Sequence, residues 1–329
     1  MRTFNAGNSL IIKAERNEFK KACFQLFEFL NLQDKLKNAE KIIIKPNIVS
    51  MQSYTAGSVT DPIIIEELVK HIRKFSEKEI LIVESESVWK TRKTVEKDTL
   101  DYDENEQLLG FELSLKNSGI ENILKKSNKV NVLNLTRAEK LDADYVKSKI
   151  TKRFGKKADS VFPEFLSMIP AEFDSKSIFI SLSKLKSHCF KDTVVTNCMK
   201  NQYGLISYPN KTLYHNRLTK TIQYVNMIAQ SFFDCYYITE ALRYTMEGSG
   251  PMRGDTIKNL GIGIAGANPV EIDAVAATLM EVEPLKLDYL QLSRGLLGDY
   301  DEETLKKIPK RFKYRFKLHP NIDKLIRKL

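Results

Sequence analysis

The chain has 329 residues, 42% hydrophobic and 29% charged, a composition that fits one large or two ordinary globular domains. No apolar run approaches the ~20 residues a membrane span needs, and Met1-Arg2-Thr3-Phe4-Asn5 lacks the apolar core of a secretory signal, so a cytoplasmic protein is expected. The net charge of +10 is concentrated in residues 306–329, where ten basic residues face Asp323 alone, and residues 1–305 sum to only about +1.

In chain order, Ser9–Ile12 reads as a short strand. Residues Asn17–Leu36 place Phe19, Cys23, Leu26, Phe27 and Leu30 on one helix face. Ile42–Ile44 is a buried strand ending at Lys45-Pro46-Asn47, where proline removes a ladder hydrogen bond. Asp61-Pro62 is an N-cap followed by proline at the first helical position, opening a helix to about Phe75. Ile80–Val83 is a strand ending at Glu84-Ser85-Glu86. A polar stretch, 87–105, precedes a helix to about Ser118 and the strand Val130–Leu133. Residues 136–172, of mixed charge and weak periodicity, read as an insertion or subdomain dividing two lobes.

Ser177–Leu182 is another buried strand. It opens into Ser183-Lys184-Leu185-Lys186-Ser187-His188, continuing through Thr193, Thr196 and Lys200-Asn201-Gln202-Tyr203 to Gly204. Leu218–Phe233 is a helix, and Cys235–Thr239 a strand ending at Glu240. The segment Met246–Asp255 reads as a glycine-rich loop. Leu260–Ala265 is a strand, and Asn268-Pro269 caps a helix through Met280, with one or two helices after it.

Strands alternating with helices predict an α/β fold, a largely parallel sheet covered by helices. Each polar cluster follows a strand, and in a parallel sheet those ends share one edge. That placement joins Lys45, Asn47, Glu84, Lys184, Lys186, His188 and Glu240 into one candidate site. Lys45, Lys184, Lys186 and Lys200 suit a carboxylate or phosphate; a solvated Lys-rich loop is the alternative. Asn47 and Asn201 would orient the ligand, or Asn47 would only brace its own loop. Thr196 adds a hydroxyl. Gly248 and Gly250 offer backbone N–H groups to an anion, or form a plain turn.

His188 is a candidate general base, kept neutral by flanking lysines; a structural histidine is the alternative. Glu240 and Asp273 are candidate proton carriers, although Asp273 sits in an amphipathic stretch and could serve packing alone. Glu240, Asp273 and His188 are also the candidate ligands if a divalent cation binds, but their spacing is not diagnostic and no metal or cofactor is predicted. The four cysteines, Cys23, Cys189, Cys198 and Cys235, form no C-x-x-C pair, which argues against an iron–sulfur cluster. There is no P-loop, HExxH or nucleophile elbow.

The series Lys45-Pro46-Asn47, Thr60-Asp61-Pro62, Ser183–His188, Thr193…Thr196…Lys200-Asn201…Gly204, Glu247-Gly248-Ser249-Gly250-Pro251…Gly254 and Pro269–Val275 resembles the domain of unknown function 362 family, over roughly residues 40–298. Some members carry ferredoxin-like modules whose cysteines this chain lacks. The strand before the glycine segment commonly ends in Asp in that family, against Glu240 here. The Lys-Pro-Asn loop and the layout are also distantly similar to the nickel-pincer lactate racemase fold. The resemblance implies a fold and a site, with no established reaction. The residues suggest an enzyme acting on a small anionic metabolite by acid–base chemistry, isomerase or racemase first. The alternative is a binding or accessory protein with no turnover.

In Arg311-Phe312-Lys313-Tyr314-Arg315-Phe316-Lys317 basic and aromatic residues alternate. Extended backbone puts the rings on one side and the cations on the other. Either the rings pack on the body, or the segment docks on an anionic membrane surface. Nucleic acid is not the expected partner, since no binding motif accompanies the charge.

Overall fold

The computed structural model describes residues 1–87, 104–250 and 253–327, without the side chains of 104–108 and Asp192. Most of the polar stretch 87–105 therefore lies outside the described residues, as do Pro251 and Met252 of the glycine segment.

Eight strands form one sheet: β1 (Arg2–Ala6), β2 (Ser9–Lys13), β3 (Lys41–Pro46), β4 (Glu79–Glu84), β5 (Val130–Asn134), β6 (Ser177–Lys184), β9 (Asp234–Ala241) and β12 (Ile262–Gly266). Their order is β1-β2-β12-β9-β6-β3-β4-β5. The five strands β9, β6, β3, β4 and β5 are parallel, whereas β12 runs antiparallel to both β9 and β2. This is the expected α/β fold, with an antiparallel edge that includes the unforeseen β1. Two short ladders stand apart, β7 (Lys186–Ser187) with β8 (Val195–Thr196), and β10 (Tyr244–Ser249) with β11 (Arg253–Lys258).

Successive side chains of a strand point to opposite faces, and the core divides accordingly. Ile43, Leu81, Phe179 and Tyr237 face one layer, built with the helices Ala143–Phe154, Leu218–Phe232 and Pro269–Leu279. Ile42, Ile44, Ile80, Ile82, Ile178, Ile180 and Ile238 face the other, with the helices Phe19–Leu30 and Pro62–Ile72. Near-continuous apolar runs such as Ile42–Ile44 are what strands covered on both sides require. Val146, Ile150 and Phe165 of the 136–172 segment belong to the first layer and share it with Phe179 and Ile222.

Two local expectations are corrected. The helix expected over Asn17–Leu36 breaks at Asn31, whose φ of +49° is left-handed, and resumes at Gln33. The segment Met246–Asp255 is no open loop: most of it belongs to the β10–β11 hairpin, in which Glu247 opposes Asp255 and Gly248 opposes Gly254. Of the two readings of Arg311–Lys317, the rings pack on the body. Phe312 and Phe316 are fully buried, and Tyr314 packs against the same core. The Tyr314 N–H donates to the Leu279 carbonyl (2.8 Å), and the Gly248 N–H donates to the Lys317 carbonyl (2.8 Å). No described helix is long and apolar enough to cross a membrane.

Candidate functional site

The parallel strands deliver their polar C-terminal residues to one edge, where they pair. Lys184 and Glu240 are register partners of β6 and β9. Their Nζ and Oε1 lie 2.5 Å apart, both side chains without solvent exposure. Glu240 Oε1 also accepts the Asp61 N–H (2.9 Å), and Oε2 the Leu242 N–H (3.1 Å). Both oxygens are thus engaged, and burial raises the carboxyl above its usual range against the pull of Lys184. Next along the edge, Lys45 Nζ meets Glu84 Oε2 at 2.7 Å and the Pro46 carbonyl at 2.7 Å. Burial lowers the Lys45 amine, with Glu84 opposing. Gly204 lies on this pair so closely that a Cβ would stand 2.3 Å from Glu84 Oε1 and 2.5 Å from Lys45 Nζ. Only glycine fits there without displacing the pair.

The loop after β3 is fastened across this edge. Thr60 Oγ1 accepts the Asn47 N–H (2.7 Å) and donates to the Leu182 carbonyl (2.8 Å). Asn47 Nδ2 and Lys186 Nζ both donate to the Ser58 carbonyl, at 2.5 and 2.6 Å. Asn201 Nδ2 donates to the Lys45 carbonyl (3.0 Å) and Ser181 Oγ (2.9 Å). Both asparagine amides therefore brace backbone at the lysine cluster. Thr196 opposes Lys186 in the β7–β8 ladder and donates its hydroxyl to the Thr193 carbonyl (3.0 Å).

Three further amines complete the cluster with no carboxylate partner among the described residues: Lys186, Lys200 and Lys211. Lys186 is buried, and burial followed by the charges of Lys184, Lys200 and Lys45 pushes its amine well below the usual range. Lys200 lies 3.6 Å from the centroid of the Tyr203 ring. Burial, then Lys211, brings its amine down to about 7. Lys211 donates to the Glu86 carbonyl (2.6 Å), and burial brings it to about 8.

Beside these amines His188 stacks on Phe190 (centroids 5.0 Å apart, 20° between planes), and Phe190 abuts His215 (5.1 Å). Burial, Lys200, Lys186 and His215 together push His188 down to about 3. The ring is neutral at physiological pH. Its Nδ1 accepts the Phe190 N–H (3.3 Å), which leaves the proton on Nε2.

Asp273 is held elsewhere in the core. Its Oδ1 accepts the N–H groups of Cys198 (3.0 Å) and Met199 (3.4 Å), and its Oδ2 the Tyr289 hydroxyl (3.0 Å). It anchors the turn that carries Lys200. Gly248 has its N–H committed to Lys317, and its carbonyl accepts the Ser187 hydroxyl (3.1 Å). Gly250 packs against Met246 and the Ser187 carbonyl. Glu240, Asp273 and His188 do not converge as a ligand set. No cluster of three His, Cys, Asp or Glu residues suited to a metal occurs among the described residues.

Sequence reading passed over Lys211, His215 and the counter-ion role of Glu84. Glu84 carried a signal, since it ends a strand, but nothing local to Lys211 shows that its amine reaches the edge. The arrangement is a cation-rich edge of a doubly covered parallel sheet, chemically suited to a carboxylate or phosphate group. The profile of the family described as Domain of unknown function (DUF362) matches residues 42–278, which span the parallel block from the second residue of β3 onward, and the chain belongs to that family. No curated protein and no solved structure matches the chain.

Proposed function

We propose that the protein is an enzyme acting on a small carboxylate or phosphate metabolite by proton transfer, with isomerisation or racemisation as the reaction type. The observation that carries this reading is the excess of amines over carboxylates at the sheet edge, where Lys186 is buried and Lys200 and Lys211 are half-buried. Glu84 and Glu240 neutralise Lys45 and Lys184, while Lys186, Lys200 and Lys211 have no such partner. A buried charge without a counter-ion is costly, and an anionic ligand supplies the missing charge.

In this reading Lys186 and Lys200 hold the anion. His188, neutral near pH 7, takes a proton from the carbon next to a carbonyl at Nδ1, giving up its long bond from the Phe190 N–H there, and an ammonium of the cluster stabilises the resulting enolate oxygen. Returning the proton to either face gives the isomers. Glu240 keeps Lys184 in place, because both of its oxygens are already bonded. Asp273 positions the Lys200 turn.

The test is a pool of small carboxylates and phosphates incubated with the protein in D2O and followed by NMR. A compound whose C–H signal disappears with wild type, and at least ~100-fold more slowly with His188→Gln, supports the enzyme. A compound that is bound without exchange, and released by Lys186→Ala, supports the alternative of a binding protein. The engagement of both Glu240 oxygens favours that second reading.

Cytoplasmic location, with peripheral contact to an anionic membrane surface, belongs to the same proposal. With Phe312 and Phe316 buried, such contact would be electrostatic only, about 1 kcal/mol per basic residue near the surface.

A further inference from the structure

A second concave site opens beside β10 and the start of the helix Phe19–Leu30, with a volume of about 540 Å3, within the ~300–1,000 Å3 range of small-molecule pockets. Four cations line it, Arg16, Lys20, Arg243 and Lys258, and no carboxylate does. The near-neutral balance of residues 1–305 makes this local excess notable. Of the acids nearest in sequence, Glu18 is turned to other work. Glu18 binds the N-terminal amine through Oε1 (2.5 Å) and the Glu15 N–H through Oε2 (2.9 Å).

The fold holds these cations together. Tyr244 opposes Lys258 across the hairpin, and the Asn259 N–H donates to the Arg243 carbonyl (2.6 Å). The Arg243 guanidinium is fixed by Asp61, which accepts its Nε (2.7 Å) and Nη2. Its Nη1 has no protein partner among the described residues. Arg16, Lys20 and Lys258 have no ion-pair partner there either. Phe19 and Tyr244 add an apolar wall.

We propose that this cavity is a second anion site, taking a phosphorylated organic metabolite. Its phosphoryl oxygens meet Arg243 and the three unpaired cations, and its organic body lies on Phe19 and Tyr244. Guanidinium groups match phosphate oxygens in geometry as well as charge. A multiply charged group is required, because a single charge would leave most of the lining uncompensated. None of the lining residues belongs to the lysine cluster. The two sites nevertheless touch through Asp61, whose carboxylate holds Arg243 and whose N–H holds Glu240.

The experiment is isothermal titration of pyrophosphate into the full chain at low ionic strength. Wild type binds it saturably. Arg16→Gln/Lys258→Gln, two exposed positions whose side chains support no other contact, weakens binding about tenfold or more, as loss of two charge-assisted contacts implies. Lys307→Gln/Lys310→Gln makes the same change of net charge at a distance and leaves the affinity unchanged. Lys186→Ala leaves this event unchanged as well. The proposal is overturned if wild type shows no saturable binding at millimolar pyrophosphate. Equal loss in the two double variants overturns it too, as does binding that disappears with Lys186→Ala and survives Arg16→Gln/Lys258→Gln.

Discussion

Two regions of this molecule are rich in basic residues, and they are physically opposite. At the sheet edge, Lys45, Lys184 and Lys186 are almost without solvent exposure, and Lys200 and Lys211 are brought down to about 7 and about 8 by burial. In the C-terminal segment the aromatic rings are buried and the cations stand in water, as at Lys307, Lys310 and Arg311. Exposed charges are solvated and screened, so they cost little and contribute little. Buried ones must be paired, neutralised or matched by a ligand. Charge density in the sequence points at the C-terminus, whereas charge chemistry resides where the lysines are fewer and dry.

That contrast is broken most severely at the ion pairs. Glu240→Ala strands Lys184 and frees the Asp61 and Leu242 N–H groups, and is expected to cost about 3–5 kcal/mol by denaturant titration. The exposed Lys306–Glu303 pair at 2.6 Å is solvated and screened, so Glu303→Ala leaves the stability nearly unchanged. Comparable losses at the two would remove the distinction. Next in size, Phe316→Ala should cost about 3 kcal/mol through the cavity it leaves, since this ring is fully buried. A loss below about 0.5 kcal/mol would mean the segment is loosely attached after all. The smallest effect belongs to Lys307→Gln/Lys310→Gln, within about 0.5 kcal/mol of wild type. If the membrane proposal holds, that variant also sediments less with anionic liposomes at low salt, and both proteins are released at high salt. Absence of pelleting by either protein removes the membrane reading.

The legible part of the fold was whatever has a local cause. Apolar runs gave β3, β4, β6 and β9, and Asp61-Pro62 gave the helix start, with Asp61 Oδ1 accepting the Ile63 N–H. Placing the polar clusters after strands located the lysine edge. What stayed hidden depends on long-range partners. Asn31 breaks a periodic helix through one left-handed residue, and the β10–β11 pairing is not written in the glycine pattern. Arg243 lies in no motif, and its value comes from Asp61, 182 positions away. The pairing of Glu240 with Lys184 follows from strand register, which periodicity does not supply across a crossover.

Burial without enough carboxylates leaves amines at the sheet edge titrating near neutrality. NMR titration of the lysine side-chain Cε and Nζ signals, assigned with Lys200→Arg and Lys211→Arg, tests it without knowledge of the substrate. Lys200 is expected to titrate at about 7 and Lys211 at about 8, well below the ordinary lysine value of about 10.4. An added anion that occupies the edge should raise the Lys200 value, because it favours the ammonium. If Lys200 and Lys211 titrate near that ordinary value instead, the edge is as wet as the C-terminal surface, and the reading of it as an anion site is contradicted.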